Sequence, residues 1–123
     1  MAFSEKIMIV EDDPAIRESL GEICRMLLNV EPLQAASADE ALALFSEHRP
    51  VVALVDLFLS GDGGESIVRE IHQRGWQDDI RVIIMSAHRD AAAVAERMGV
   101  FGVLHKPFSL QDVTQVLEAA GVG

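Results

Sequence analysis

Apolar runs of strand length alternate along the chain with segments whose apolar residues recur at helical spacing. Ile7-Met8-Ile9-Val10 is a short run rich in β-branched residues that stops abruptly at Glu11-Asp12-Asp13-Pro14. Proline suits the first turn of a helix, and beyond it Ile16, Leu20, Ile23 and Leu27 fall on one helical face. Residues 30–36 read as a second strand, and Pro32 confines it to a sheet edge because proline cannot donate to a ladder. Ser37 is placed to cap a helix with Ala38, Ala41, Leu42 and Phe45 on one side. Val51-Val52-Ala53-Leu54-Val55 is continuous and apolar, the pattern of a strand buried on both faces, and it ends at Asp56. The second half repeats this rhythm. Ser60 to Gly64 form a loop, and 65–74 a helix with Ile67 and Ile71 inward, stopped at Gly75. Arg81 to Met85 is a strand ending at Ser86, and 89–98 an alanine-rich helix stopped by Gly99. Val100 to Leu104 is a weaker strand, interrupted by Gly102 and ending before Lys106-Pro107. Ser109 caps a last helix with Leu110, Val113, Leu117 and Ala120 on one face. The pattern is (βα)5, an α/β fold whose alternation implies a parallel sheet with helices on both faces.

Composition narrows the partners. The chain has 123 residues, 50% of them hydrophobic, and a formal net charge of −10. One domain is expected at this length, and disorder is excluded by the hydrophobicity. The acidic balance argues against direct nucleic-acid binding, which needs a basic stripe. No apolar run approaches the length of a membrane span, and no signal peptide is recognisable, since Glu5 and Lys6 interrupt the N-terminal segment. A cytoplasmic domain spanning 1–123 is the expectation. Few residues follow the last helix, so no output domain is expected in this chain. Cys24, the single cysteine, makes neither an internal disulfide nor a cysteine-based zinc site.

The candidate chemistry lies at the strand ends. In open α/β sheets ligands bind beyond the carboxyl ends of the strands. Glu11, Asp12, Asp56, Ser86 and Lys106 each stand at such an end. Three carboxylates in one cleft repel, and a hard divalent cation with oxygen ligands resolves the conflict; Mg²⁺ suits few carboxylates and several waters, with Mn²⁺ able to take its place. A carboxylate beside a metal, a hydroxyl and an ammonium is equipped as a nucleophile toward phosphorus.

On these residues the chain resembles the receiver domain of bacterial response regulators, from about Lys6 to Ala120. The matching pieces are Ile-Met-Ile-Val-Glu-Asp-Asp (7–13), Val-Asp-Leu (55–57), Gly63-Gly64, Met-Ser-Ala (85–87) and Leu-His-Lys-Pro-Phe (104–108). The resemblance implies a doubly wound, flavodoxin-like five-stranded sheet in the order 2-1-3-4-5. It implies Asp56 as phosphoacceptor and Glu11 with Asp12 as the acidic pair for Mg²⁺, Asp12 directly and Glu11 through water. It further implies the backbone carbonyl of Phe58 as a metal ligand, Ser86 as the switch hydroxyl, Lys106 as the phosphoryl-binding ammonium, and a cis Lys106–Pro107 bond. The phosphoryl donor would be a histidine kinase or a histidine phosphotransfer protein. The recipient of the signal would be a protein target or a linked output domain.

Departures from that pattern fall on the output side. Val103 stands where the family usually has Tyr or Phe, and the chain has no tyrosine. Phe101, two residues earlier, is a candidate surrogate, although Gly102 between them can bend the strand. Ser60, Gly63 and Phe58 also differ from the commonest residues at their positions. Phe58 and His88 are expected to border the cleft and govern water access to the phosphorylated aspartate. The Ala91–Ala95 surface of the fourth helix is a candidate face for a partner or a second copy.

Blander readings exist for several residues. Asp12-Asp13-Pro14 also reads as a helix N-cap, Ser86 as a cap of the following helix, and Lys106 as a surface residue. Arg17, Glu18 and Glu22 read as a solvated helix face. His48, His72 and His105 read as surface residues, Trp76 as a local packing residue, and Cys24 as core rather than reactive. Two competing functions remain. One is a degenerate receiver acting as a phosphorylation-independent interaction module, which Val103 favours and the complete set of polar strand-end residues opposes. The other is an Mg²⁺-dependent phosphohydrolase, disfavoured because Phe58 stands where such enzymes commonly carry a second aspartate. A nucleotide binder is disfavoured too, since the loop after the first strand lacks phosphate-cradling glycines.

Overall fold

The computed structural model describes residues 6–59 and 63–122. The apolar runs form strands β1 (Ile7–Val10), β2 (Leu33–Ala35), β3 (Val52–Asp56), β4 (Arg81–Ser86) and β5 (Gly102–His105). The intervening helices are α1 (Pro14–Leu28), α2 (Ala38–His48), α3 (Gly63–Gln73), α4 (Ala91–Met98) and α5 (Leu110–Ala119). All pairings are parallel, in the order β2-β1-β3-β4-β5. Pro32 immediately precedes β2, which lies at an edge as expected. The strand order reverses between β1 and β3, so a crevice opens beyond their carboxyl ends.

Successive strand residues point to opposite faces, and the core accordingly divides in two. Met8, Val10, Val55 and Ile84 pack with Phe45 of α2 and Ile67 of α3 on one face. Ile7, Ile9, Leu54 and Met85 pack with Leu20 of α1 and Leu117 of α5 on the other. Trp76 is buried in the first cluster, the packing role expected of it. Three caps behave as their residue types dictate. Asp13 Oδ1 accepts from the Ala15 and Ile16 N–H groups, Ser37 Oγ from Glu40, and Ser109 forms a reciprocal capping box with Asp112. Among the described residues no helix is long and apolar enough to cross a membrane.

Some expectations are corrected. The second strand is three residues rather than seven, α3 begins two residues earlier at Gly63, and α4 two residues later at Ala91. Ser60, Gly61 and Asp62 of the expected loop lie outside the described residues. Leu27 is 53% exposed, and Cys24 takes an inward position instead. Leu28, the residue after Leu27, packs against the core, so the buried stripe of α1 runs through Cys24 and Leu28 rather than through Leu27. Leu110, first residue of α5, is likewise 58% exposed, and with Met26 and Leu27 it lines a surface groove. Ala91 and Ala95, expected on a partner-facing surface, are buried one turn apart against the sheet, leaving Ala92 and Ala93 outward. His48 is half-buried, its Nδ1 3.4 Å from Lys6 Nζ. Burial pushes the Cys24 thiol up to about 11, consistent with an unreactive core residue.

Candidate functional site

Each polar residue of the site ends an apolar strand or immediately follows one. Glu11 follows β1, Asp56 closes β3, Ser86 closes β4, and Lys106 follows β5. Because the strands are parallel and in register, these positions converge on one rim. Glu11, Asp12 and Asp56 each offer a carboxylate oxygen, and these atoms lie within 4.8 Å of one another. Glu11 is 1% exposed and Asp56 6%.

Lys106 reaches into this acidic crevice. Its Nζ donates to Glu11 Oε1 at 2.7 Å and lies 3.5 Å from Asp56 Oδ1, so glutamate holds the ammonium more closely than the aspartate does. The Lys106–Pro107 bond is cis, as the resemblance implied, and the Lys106 N–H donates to Ser86 O at 2.9 Å. Burial raises the Glu11 carboxyl above its usual range, against the opposing hydrogen bond from Lys106. Burial works against the Lys106 charge, but the Glu11 hydrogen bond and the attraction of Asp56 outweigh it and the ammonium is held more firmly than usual. Three carboxylates against one ammonium leave an excess of two negative charges. Oxygen donors with that excess fit a hard divalent cation.

The surrounding loops are fixed by backbone contacts. Phe58 N–H donates to Asp56 Oδ1 at 3.2 Å, and Leu57 N–H to Met85 O at 3.0 Å. Ser86 is buried, and its Oγ accepts from His88 N–H at 2.9 Å, so the hydroxyl shapes the turn into α4 from the floor of the site. The helix N-cap itself is Asp90, which makes no side-chain capping bond. Phe58, 63% exposed, and His88 approach with ring centroids 6.3 Å apart. The two residues expected to border the cleft are thus brought together.

Other expectations change. The N-cap reading holds for Asp13 alone of the acidic run, outside the carboxylate cluster, while Asp12 belongs to the cluster. Phe101 precedes β5 and faces Arg81, with the guanidinium 5.8 Å from its ring, at the end of the sheet away from Ser86. It is no surrogate for the missing strand aromatic. Val103 is paired with Ile84, whereas Ser86 is paired with His105, and Val103 packs against the core. The contacts of two residues named above escaped the sequence reading. A Cβ on Gly64 would lie 2.5 Å from the Asp56 carbonyl oxygen, so only glycine lets α3 start this close to Asp56. Arg17, read as solvated, is half-buried and donates from Nη1 to Glu11 O at 2.7 Å.

Comparison with known proteins agrees with this geometry. The family model of the response regulator receiver domain matches residues 7–118. Sporulation initiation phosphotransferase F of Bacillus subtilis is 29% identical over 117 residues, covering 94% of this chain and 92% of that protein. The chain spans only part of other curated relatives: 50% of the probable C4-dicarboxylate response regulator DctR of Priestia megaterium, 21% identical over 91% of this chain, and 24% of the DNA-binding transcriptional regulator NtrC of Salmonella typhimurium, 32% identical over 93% of this chain. Among solved structures, chemotaxis protein CheY4 of Vibrio cholerae superposes with a TM-score of 0.87 at 20% identity, covering 96% of this chain and 99% of that one, a likeness of fold. The chain belongs to the response regulator receiver domain family of two-component systems.

Proposed function

We propose that Asp56 accepts a phosphoryl group from a phosphohistidine donor, a histidine kinase or a histidine phosphotransfer protein, and that the modified domain changes its affinity for a protein partner. The observation that carries this reading is the convergence of Glu11, Asp12 and Asp56 on one point with Lys106 bridging two of them. A carboxylate oxygen of Asp56 attacks phosphorus, the P–N bond breaks with its electron pair going to the imidazole nitrogen, and that nitrogen takes a proton from solvent. The product is an acyl phosphate on Asp56.

Asp12 and Asp56 would hold Mg²⁺, or Mn²⁺ in its place, directly, with the Phe58 carbonyl as a further ligand and Glu11 acting through water. When bound, the ion neutralises charge on the transferring phosphoryl oxygens. Lys106 offsets another of those charges, moving from Glu11 toward the phosphoryl group, and the Ser86 hydroxyl donates to an equatorial oxygen. The domain is a phosphoacceptor that assists its own modification rather than a turnover enzyme. Phe58 and His88 cover the approach of water, so Phe58→Asn is expected to shorten the acyl phosphate lifetime, measured as the decay of the modified form.

The signal is read through Ser86 and the segment leading into α4, since Val103 is too small to swing between buried and exposed positions. A second copy would meet the outward side of α4, where Ala92 and Ala93 leave a low surface. The gathering of Glu11, Asp12 and Asp56 around Lys106 weighs against the phosphorylation-independent alternative. Incubation with acetyl phosphate, followed by intact-mass measurement, tests the proposal. One phosphoryl group is expected with Mg²⁺, none with a chelator and none in Asp56→Asn; incorporation that persists in that variant contradicts it.

A further inference from the structure

Arg17 stands at the amino end of α1, close to the acidic rim. It is the fourth residue of α1, and that first turn holds no acidic residue. The N–H groups of that turn are already satisfied by Asp13, Ala15 and Ile16 on its Oδ1 and Arg17 on its backbone oxygen. The side chain turns back toward the rim and donates from Nη1 to Glu11 O at 2.7 Å, across six residues of chain. That oxygen belongs to the peptide unit joining Glu11 to Asp12. The unit is planar and ends at the Asp12 Cα, so fixing its oxygen fixes the atom that carries the Asp12 side chain. On the preceding side, the Glu11 N–H is held by Ala35 O at 3.0 Å. The Glu11 side chain is held as well, by Lys106 on one oxygen and by Asp13 N–H on the other at 3.1 Å. The Arg17 bond completes the restraint on the stretch just beyond β1, and a guanidinium donor makes it a strong one.

We propose that Arg17 is a positioning residue for the metal-binding carboxylates: by holding the Glu11–Asp12 peptide unit, it directs Asp12 toward Asp56 before a cation arrives. The inference rests on the Mg²⁺-dependent reading of the site. Two effects of Arg17 oppose each other, which makes the proposal testable. Its charge repels a cation, so removing it would tighten Mg²⁺ binding; its hydrogen bond preorganises a ligand, so removing it would weaken binding. Groups that orient metal ligands commonly contribute 10–100-fold to affinity, and a contact acting through the backbone should lie near the lower figure.

The experiment is calorimetric titration of the metal-free protein with Mg²⁺ alone, for wild type, Arg17→Gln and Arg17→Lys. Glutamine is too short to reach the carbonyl and is expected to weaken binding about tenfold. Lysine keeps the charge and one donor but loses the planar fork, and is expected to weaken it about threefold. In metal-free protein, the Asp12 and Asp13 amide resonances should shift in both variants. Affinity that is unchanged or tighter in Arg17→Gln overturns the proposal while leaving the metal site intact. If that variant does not fold, Arg17→Lys decides alone, and unchanged affinity there overturns the proposal. A wild type that binds no Mg²⁺ overturns the site reading itself, and this inference with it.

Discussion

The two ends of the sheet handle charge in opposite ways. At the carboxyl-end rim, three carboxylates are crowded within 4.8 Å, and Lys106 contacts Glu11 and Asp56 among them. At the amino-end rim, cations rest on aromatic rings. The Arg49 guanidinium lies 4.3 Å from the Trp76 ring centroid and Arg74 5.1 Å from it, while Arg74 also pairs with Glu70 at 2.8 Å. Arg81 approaches Phe101 in the same manner. The amino end is satisfied by its own contacts, because each guanidinium keeps a solvated edge and gains a ring face. The carboxyl end is left electrostatically incomplete. Stability without unmet demand marks a structural edge; stored repulsion at a crevice marks a place where an ion and an anionic group can enter.

Breaking the amino end should therefore cost stability and leave the chemistry alone. Trp76→Ala removes a buried indole from the core and is expected to destabilise the fold by about 3–5 kcal/mol in denaturant unfolding. Its Mg²⁺ affinity should match wild type, measured below the unfolding transition; a weakened affinity would mean that the two ends are coupled. At the carboxyl end the expected effect is smaller and depends on metal. Mg²⁺ at ten times its dissociation constant should stabilise the wild type by roughly 1.4 kcal/mol through linkage, and Asp12→Asn should abolish that gain in thermal melts. An equal gain in the variant would exclude Asp12 as a ligand.

The weakest expected effect is one of pH. Glu11 is raised above its unfolded value chiefly by burial, so the folded state holds that proton more tightly. Its contribution is favourable below the unfolded value and is lost as pH rises through the folded one. Compared with Glu11→Gln, metal-free wild type should lose relative stability as pH climbs from about 4.5 toward neutrality. A gap that stays flat, or widens in favour of wild type, would show that Lys106 fully offsets the burial of this carboxylate.

Much of this arrangement is legible in sequence because apolar runs end sharply. Val10 gives way to Glu11, Val55 to Asp56 and Met85 to Ser86, and a parallel sheet carries those junctions to one rim. The caps at Asp13, Ser37 and Ser109 are equally local and equally readable. Contacts that depend on the third dimension are not. Nothing in the spacing of Arg17 shows that it reaches a backbone oxygen six residues back, and Gly64 is constrained by its closeness to the end of β3, the Asp56 carbonyl above all. The run Ala91–Ala95 gives no contrast between faces, since every residue but Val94 is the same, so the sequence cannot say which side of α4 packs. Leu27 and Leu110 carry the right period, but the buried stripe of α1 runs through Cys24 and Leu28, and both leucines face a surface groove instead.

The central claim is that the crowded rim makes Asp56 a metal-dependent acceptor. It is tested most directly by borohydride trapping after incubation with acetyl phosphate and Mg²⁺. Hydride reduces an acyl phosphate to an alcohol, so the modified aspartate appears as homoserine in peptide mapping. Homoserine at position 56 alone, absent when Mg²⁺ is withheld, is the predicted result. Homoserine at position 12 or 13, or trapping at position 56 that does not depend on Mg²⁺, would contradict the account.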